Sequence, residues 1–321
     1  MKRSAYLLAF LFVSTSSYAL DLPKWPSGPV AVLPKGEFVI SEDTTLSYDK
    51  LTVPDGTIIT TNGNDFDLQI RQELIIQGST VIRSFAPTHV PDAPPQAATG
   101  GPGRSYERGP NTEGATVATK GNDGGQGMPG QTGQPGVAGD DAGFITLRFD
   151  PGARADGRLI VRNTGGIGGI GGVGGQGGPG GDGQQGGRGK DGIVDCASGP
   201  GNGGNGGDGG PGGLGGRGGD GGRGGTIVVQ TSAPANPPPG SMTILDWLQT
   251  VEMSVDGGTP GQPGPGGKGG NPGQPGYGGR GSHHCQGKEA DRMGAPGKPG
   301  KNETAGLSGA NKGPNGRIKK L

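Results

Sequence analysis

The residues most able to do chemistry in this chain are His283, His284 and Cys285, with a second cysteine at Cys196. Two imidazoles beside a thiol are ligands that zinc accepts. Zinc wants a tetrahedron, and adjacent residues seldom all face one centre, so no metal site is expected. The two cysteines suit each other better. Each lies where a glycine-rich run breaks, at Ile193–Ser198 and at Ser282–Gln286. Cys196 stands 31 residues beyond Gly165 and Cys285 stands 28 beyond Gly257. Both therefore reach a similar height above the start of their runs. An even count in an exported chain predicts a disulfide. It would close a loop of about ninety residues, worth roughly 4 kcal/mol in the chain-entropy picture.

Other motifs look chemical and are not supported. Gly-x-Gly-x-x-Gly recurs, but never between a strand and an apolar-periodic helix, so nucleotide binding does not follow. Gly203-Gly204-Asn205-Gly206-Gly207-Asp208 and Gly215-Gly216-Arg217-Gly218-Gly219-Asp220 match the start of the calcium-binding nonapeptide of RTX proteins. The large apolar residue required two places after the aspartate is Gly210 or Gly222 instead, and the period is three rather than nine. The remaining histidine is His89, and no Ser/His/Asp set or carboxylate pair can be placed. No enzyme activity and no cofactor are expected.

The elements that must position these residues are unusual. Of 321 residues, 78 are glycine and 29 proline, while 28% are hydrophobic and 4% aromatic. One large core cannot be built from that, so backbone hydrogen bonds must hold much of the chain. Glycine recurs at every third position from Gly165 to Gly192, from Gly201 to Gly225 and from Gly258 to Gly279, with a shorter run over Gly121–Gly139. Only a three-residue-per-turn extended helix puts every third residue on one edge. Gly165–Gly192 and Gly199–Gly225 have nearly equal lengths about a break, as an out-and-back pair requires. At about 3.1 Å per residue each leg would reach on the order of 85 Å. Gly-Gly-x legs leave two edges bare and can take neighbours on two sides. The Gly-x-y legs near Gly130 and Gly273 should lie outside. A collagen-like trimer is the rival arrangement.

Between the glycine runs the chain reads as strands. Short β-branched stretches fill 36–85, separated by turns such as Pro54-Asp55-Gly56. The signal returns at Phe144–Phe149, Arg158–Arg162, Thr226–Gln230, Val251–Val255 and Arg317–Lys320. Strands this short and closely spaced suit a β-solenoid, with a small sandwich as the alternative. Ser241–Gln249 suits a short helix or another coil. The expected fold is thus mostly β plus polyproline-II/polyglycine-II, with little or no α-helix. Its order is a signal peptide (1–19), a β-solenoid base (20–85) and a first rod hairpin (86–143). Base strands (144–164), a second hairpin (165–225), base strands (226–256), a third hairpin (257–316) and a closing strand (317–321) follow.

Met1–Ala19 reads as a secretory signal: Lys2 and Arg3, then apolar Tyr6–Val13, then Ser17-Tyr18-Ala19. Export to periplasm, cell surface or medium is expected, with no transmembrane segment. Zero formal net charge argues against nucleic acid and other general polyanions. The stretch 287–321 is an exception, rich in lysine and arginine. It reads as a solvated face, or as attraction to an anionic surface such as lipopolysaccharide.

Gly165–Gly192 and Gly199–Gly225 resemble the polyglycine-II rods of T-even-type bacteriophage distal tail-fibre adhesins and of springtail antifreeze proteins. The adhesin resemblance implies loops at one end of packed rods that bind a cell-surface receptor or glycan. The antifreeze resemblance would imply a flat face of regularly spaced small groups. The outward residues Ile167, Ile170, Val173, Gln176, Pro179 and Asp182 offer none. Side-chain diversity concentrates in three turns, around Gly103–Glu113, Ile193–Ser198 and Ser282–Arg292. Arg104, Tyr106, Glu107, Asp195, His283, His284, Lys288 and Arg292 are the candidate ligand-binding residues. A structural spacer without a specific ligand is the alternative, and the oligomeric state is left open.

Overall fold

The computed structural model describes residues 25–108, 115, 117–231 and 243–321. The expected signal segment, and part of the first turn, lie outside the described residues. The fold is mostly β with little helix.

Ten strands form one sheet. They are β1 (Val30–Val32), β2 (Glu37–Val39), β3 (Thr44–Val53), β4 (Thr57–Thr60), β5 (Phe66–Arg83), β6 (Phe144–Phe149) and β7 (Arg154–Arg162), and three described below. Two short strands outside this sheet, β8 (Lys190–Asp191) and β9 (Cys196–Ser198), pair antiparallel at a glycine-run break. The sheet then continues with β10 (Thr226–Thr231), β11 (Glu252–Ser254) and β12 (Arg317–Lys320). Between β10 and β11 lies one helix, α1 (Ile244–Thr250), so the helix reading of that stretch holds and the extra coil does not form.

Every pair in the large sheet is parallel. One path runs β1-β3-β5-β6-β10-β12; β2, β4, β7 and β11 lie off it, with β4 and β7 on the far half of β5. β5 serves both because it turns at Gly78, where φ is +99°. There the Asp55 carboxylate would stand 2.4 Å from an added Cβ, so only glycine fits. Sequence periodicity split β3 and β5 into shorter runs and missed β1. The backbone instead continues through the polar residues, because parallel neighbours on both sides satisfy its hydrogen bonds.

Parallel register stacks like upon like. Phe66, Ile145 and Ile227 follow one another in the ladder, as do Leu68, Leu147 and Val229. Phe38, Ile59, Ile82 and Val161 form a second buried row. Burying such side chains is worth about 1.5–3 kcal/mol each. Helix α1 closes one side. Thr243 and Asp246 form a reciprocal capping box at its start. Its Trp247 packs edge-on against Phe149 and donates Nε1–H to Gly157 O at 2.8 Å.

The glycine runs carry no helix or strand pattern. They are extended segments over 97–106, 121–142, 165–189, 201–225, 257–279 and 294–316, numbered one to six. Their N–H groups donate to carbonyls of neighbouring segments every third residue. In segment three, Gly168, Gly171 and Gly174 donate to segment five at Thr259, Gln262 and Pro265. The interleaved Gly169, Gly172 and Gly175 donate to segment two at Val137, Gln134 and Gln131. Segment four does the same toward segments six and three. A Gly-Gly-x triplet thus spends both glycine N–H groups in different directions, while residues such as Ile170 and Leu214 remain exposed. Segments one, three and five bond in parallel, as do two, four and six, and consecutive segments bond antiparallel.

Aspartate and asparagine add a recurrent clip. Gly209 N–H donates to Lys298 O at 2.8 Å, and Lys298 N–H returns to Asp208 Oδ1 at 2.7 Å. The same ring closes at Asp123 with Asn205, Asp182 with Gln274 and Asp220 with Asn311. It recurs in the sheet at Asp55 with Ser79. Each clip satisfies an N–H that donates to no backbone carbonyl.

Candidate binding site at the distal turns

The second and third turns are joined covalently. Cys196 and Cys285 form a disulfide across a sequence separation of 89 residues, with Cα atoms 4.8 Å apart. The hairpin β8–β9 presents a four-residue apex, Gly192 to Asp195, closed by Gly192 N–H donating to Asp195 O at 2.7 Å. Ile193 is 98% exposed and Val194 is 85% exposed. The apex is tied to the third turn by Asp191. Its carboxylate accepts N–H bonds from His284 at 2.7 Å and His283 at 3.2 Å. The Ser282 hydroxyl beside it, then these N–H groups, hold the Asp191 carboxyl down at about 2.

His283 and His284 lie together, ring centroids 4.6 Å apart. Among the described residues no group of three His, Cys, Asp or Glu converges on a common point. A short 3-10 turn over Glu289–Arg292 follows. It is fixed by Arg280, whose guanidinium pairs with Glu289 at 3.5 Å, and by Arg292 O, which accepts from Gly203 N–H at 2.8 Å. Lys288 is exposed just before it.

Of the residues described around the first turn, Tyr106 stands below this cluster, while Ala118 N–H donates to Arg188 O, three residues before Asp191. Tyr106 N–H donates to Asp182 O, so Tyr106 stands level with a residue nine before Asp191. At about 3.1 Å per residue that is roughly 28 Å short of the apex. The Arg104 guanidinium lies 5.0 Å from the Tyr106 ring centre, and Glu107 O accepts from Gln185 N–H. Arg108 bridges to segment five: its Nε donates to Pro275 O at 3.1 Å and its guanidinium stands 5.9 Å from the Tyr277 ring. The candidate residues therefore form two groups. Asp195, His283, His284, Lys288 and Arg292 belong to the disulfide-linked turns; Arg104, Tyr106 and Glu107 flank segment three, with Glu107 at the level of Gln185. Sequence reasoning placed Ile193 and Val194 in a tip turn without choosing them as candidate residues, and missed Asp191. The alternating pair Lys190-Asp191 and Cys196-Ala197-Ser198 about Gly192 was the available hairpin signal.

No helix among the described residues is long and apolar enough to cross a membrane. No family model matches this chain, and no curated protein matches it. Among solved structures it is similar to a springtail antifreeze protein from Granisotoma rainieri, described as a bundle of nine polyproline type II helices. The two share 22% identity over 56% of this chain and 94% of that one, at a TM-score of 0.10. A superposition at that score carries no argument about fold or function. The resemblance to phage tail-fibre adhesins finds no support in these comparisons.

Proposed function

We propose that this chain is an exported, non-enzymatic surface-binding module that displays its distal turns on a rigid polyglycine-II bundle rooted in a β-solenoid base. Parallel ladders that stack like residues at offsets of one coil or one excursion support the solenoid. Glycine N–H groups that donate alternately to two neighbours support the bundle. The disulfide suits an oxidising compartment.

The observation that carries the binding role is the apex. Two large apolar side chains are held almost wholly in water on a hairpin fixed by a disulfide and by the Asp191 hydrogen bonds. A rigid apolar apex fits recognition better than solubility. The same disulfide-linked turns carry the polar candidates Asp195, His283, His284, Lys288 and Arg292, suited to a receptor, a glycan or an anionic surface.

The test is binding of purified protein to bacterial cells and to a glycan array, wild type against Ile193→Ser/Val194→Ser. The expected result is a loss of binding with an unchanged thermal melt. Equal binding by both proteins would refute the apex as the binding element, and no binding by either would leave a spacer without a specific ligand.

A further inference from the structure

A second feature lies far from the apex, where the glycine-rich segments leave the sheet. There a cleft of about 320 Å³ opens between the outer face of β5 and β7 and the roots of segments one and three. Its floor is apolar, from Ile58, Val81, Phe85 and Ile167, and its rim carries Arg83, Arg162 and His89. No carboxylate lines it.

The charges around this cleft are unbalanced. Arg83 and Arg162 stand directly opposite each other in the parallel ladder. Like charges in that position repel. Arg83 is neutralised: its Nη2 donates to Glu37 Oε1 at 2.8 Å and its Nε to Thr60 Oγ1 at 2.9 Å. Thr60 first, and then Arg83, pull the Glu37 carboxyl below its ordinary value against the opposing effect of burial. Arg162 is exposed and its guanidinium makes no hydrogen bond or ion pair among the described residues. His89 is held in place, its ring stacked on Phe85 at 5.3 Å and its Nε2 3.1 Å from Asp140 Oδ2. Glu37 and Asp140 are the partners of Arg83 and His89 and do not line the cleft. The N–H groups of Gly165 and Gly166 are already donated to Asp256 and Asp140.

We infer that this cleft binds a small carboxylate that carries a single apolar ring. Arg162 supplies the fork that a carboxylate matches in two parallel hydrogen bonds. Phe85 and the aliphatic floor take the ring. The volume lies at the small end of ligand sites, about 300–1,000 Å³, which sets the size at one ring. An anion bound there also relieves the repulsion between the two opposed guanidinium groups. The inference stands apart from the role of the distal turns.

The experiment is calorimetric titration of the full chain with benzoate, and with benzamide as its uncharged counterpart. Saturable benzoate binding is expected, about tenfold or more tighter than benzamide. Arg162→Gln should weaken benzoate by a similar factor and leave the thermal melt unchanged, since this side chain holds nothing else. Ile193→Ser/Val194→Ser should bind benzoate as wild type does. No saturable binding, equal binding of the two probes, or wild-type affinity in Arg162→Gln would each overturn the inference.

Discussion

Replacing Gly210 by alanine should be strongly destabilising, and it stands for the many glycines whose edges face backbone. An added Cβ would stand 2.1 Å from Met128 O, 2.6 Å from Met128 C and 2.7 Å from Gly127 O. All three are backbone atoms, so no side chain can swing aside. Ordinary contact begins near 3.4 Å, so segment two must withdraw by about 1.3 Å. Two hydrogen bonds hold it at this level: Gly178 N–H to Met128 O at 2.8 Å and Gly127 N–H to Asp208 O at 2.9 Å. Lengthened by that much, both cease to be hydrogen bonds. Each is worth about 1–1.5 kcal/mol, and orphaned buried groups add about 1 kcal/mol or more. The cost of Gly210→Ala is therefore roughly 3–5 kcal/mol. Gly199→Ala is the control. Nothing lies within 4 Å of its added Cβ, so the effect should fall within about 0.5 kcal/mol of zero or be slightly stabilising. Urea unfolding followed by circular dichroism measures both. If Gly210→Ala lies within about 1 kcal/mol of Gly199→Ala, close backbone contact is not what requires glycine here.

Breaking the disulfide, by reductant or as Cys196→Ser/Cys285→Ser, should lower stability by roughly 4 kcal/mol from loop entropy across its 89-residue separation, read as a fall in melting temperature. Asp208→Ala should cost about 1 kcal/mol by orphaning Lys298 N–H, and Asp208→Asn, which keeps Oδ1, should recover most of it in the same melts. Asp191 has a folded value of about 2 against 3.8 for the free group, so its contribution is complete above the free value and is lost as pH falls toward 2. The amide resonances of His283 and His284 should report this by shifting with a midpoint near 2, and a midpoint near 3.8 would refute the Asp191 contacts.

Much of this architecture was legible in the residues. The period of three at Gly165–Gly192 dictates extended segments with bare edges, because only glycine lets a second backbone come so close. The β-branched runs dictate strands, and the flanking of each glycine run by two such strands dictates excursions that leave and return. With only Cys196 and Cys285 present, the disulfide follows from count and position. The clips were also written in the chain, as Asp182-Gly183, Asp208-Gly209 and Asp220-Gly221, but a dipeptide does not say whose N–H it will accept.

Tertiary structure decided the rest. Which segment bonds to which is not a local property: Gly168 donates to Thr259 and Gly169 to Val137, and each glycine edge looks alike to the chain that carries it. The alternation of neighbours arises because every excursion must return to the next rung of one parallel sheet. That constraint also sets Arg83 against Arg162, 79 residues apart in sequence and adjacent in the ladder. Composition and spacing determined the kinds of element and where side-chain chemistry is allowed. Only the stacking of the sheet, which fixes the order and height at which each excursion leaves, determined which of those side chains meet.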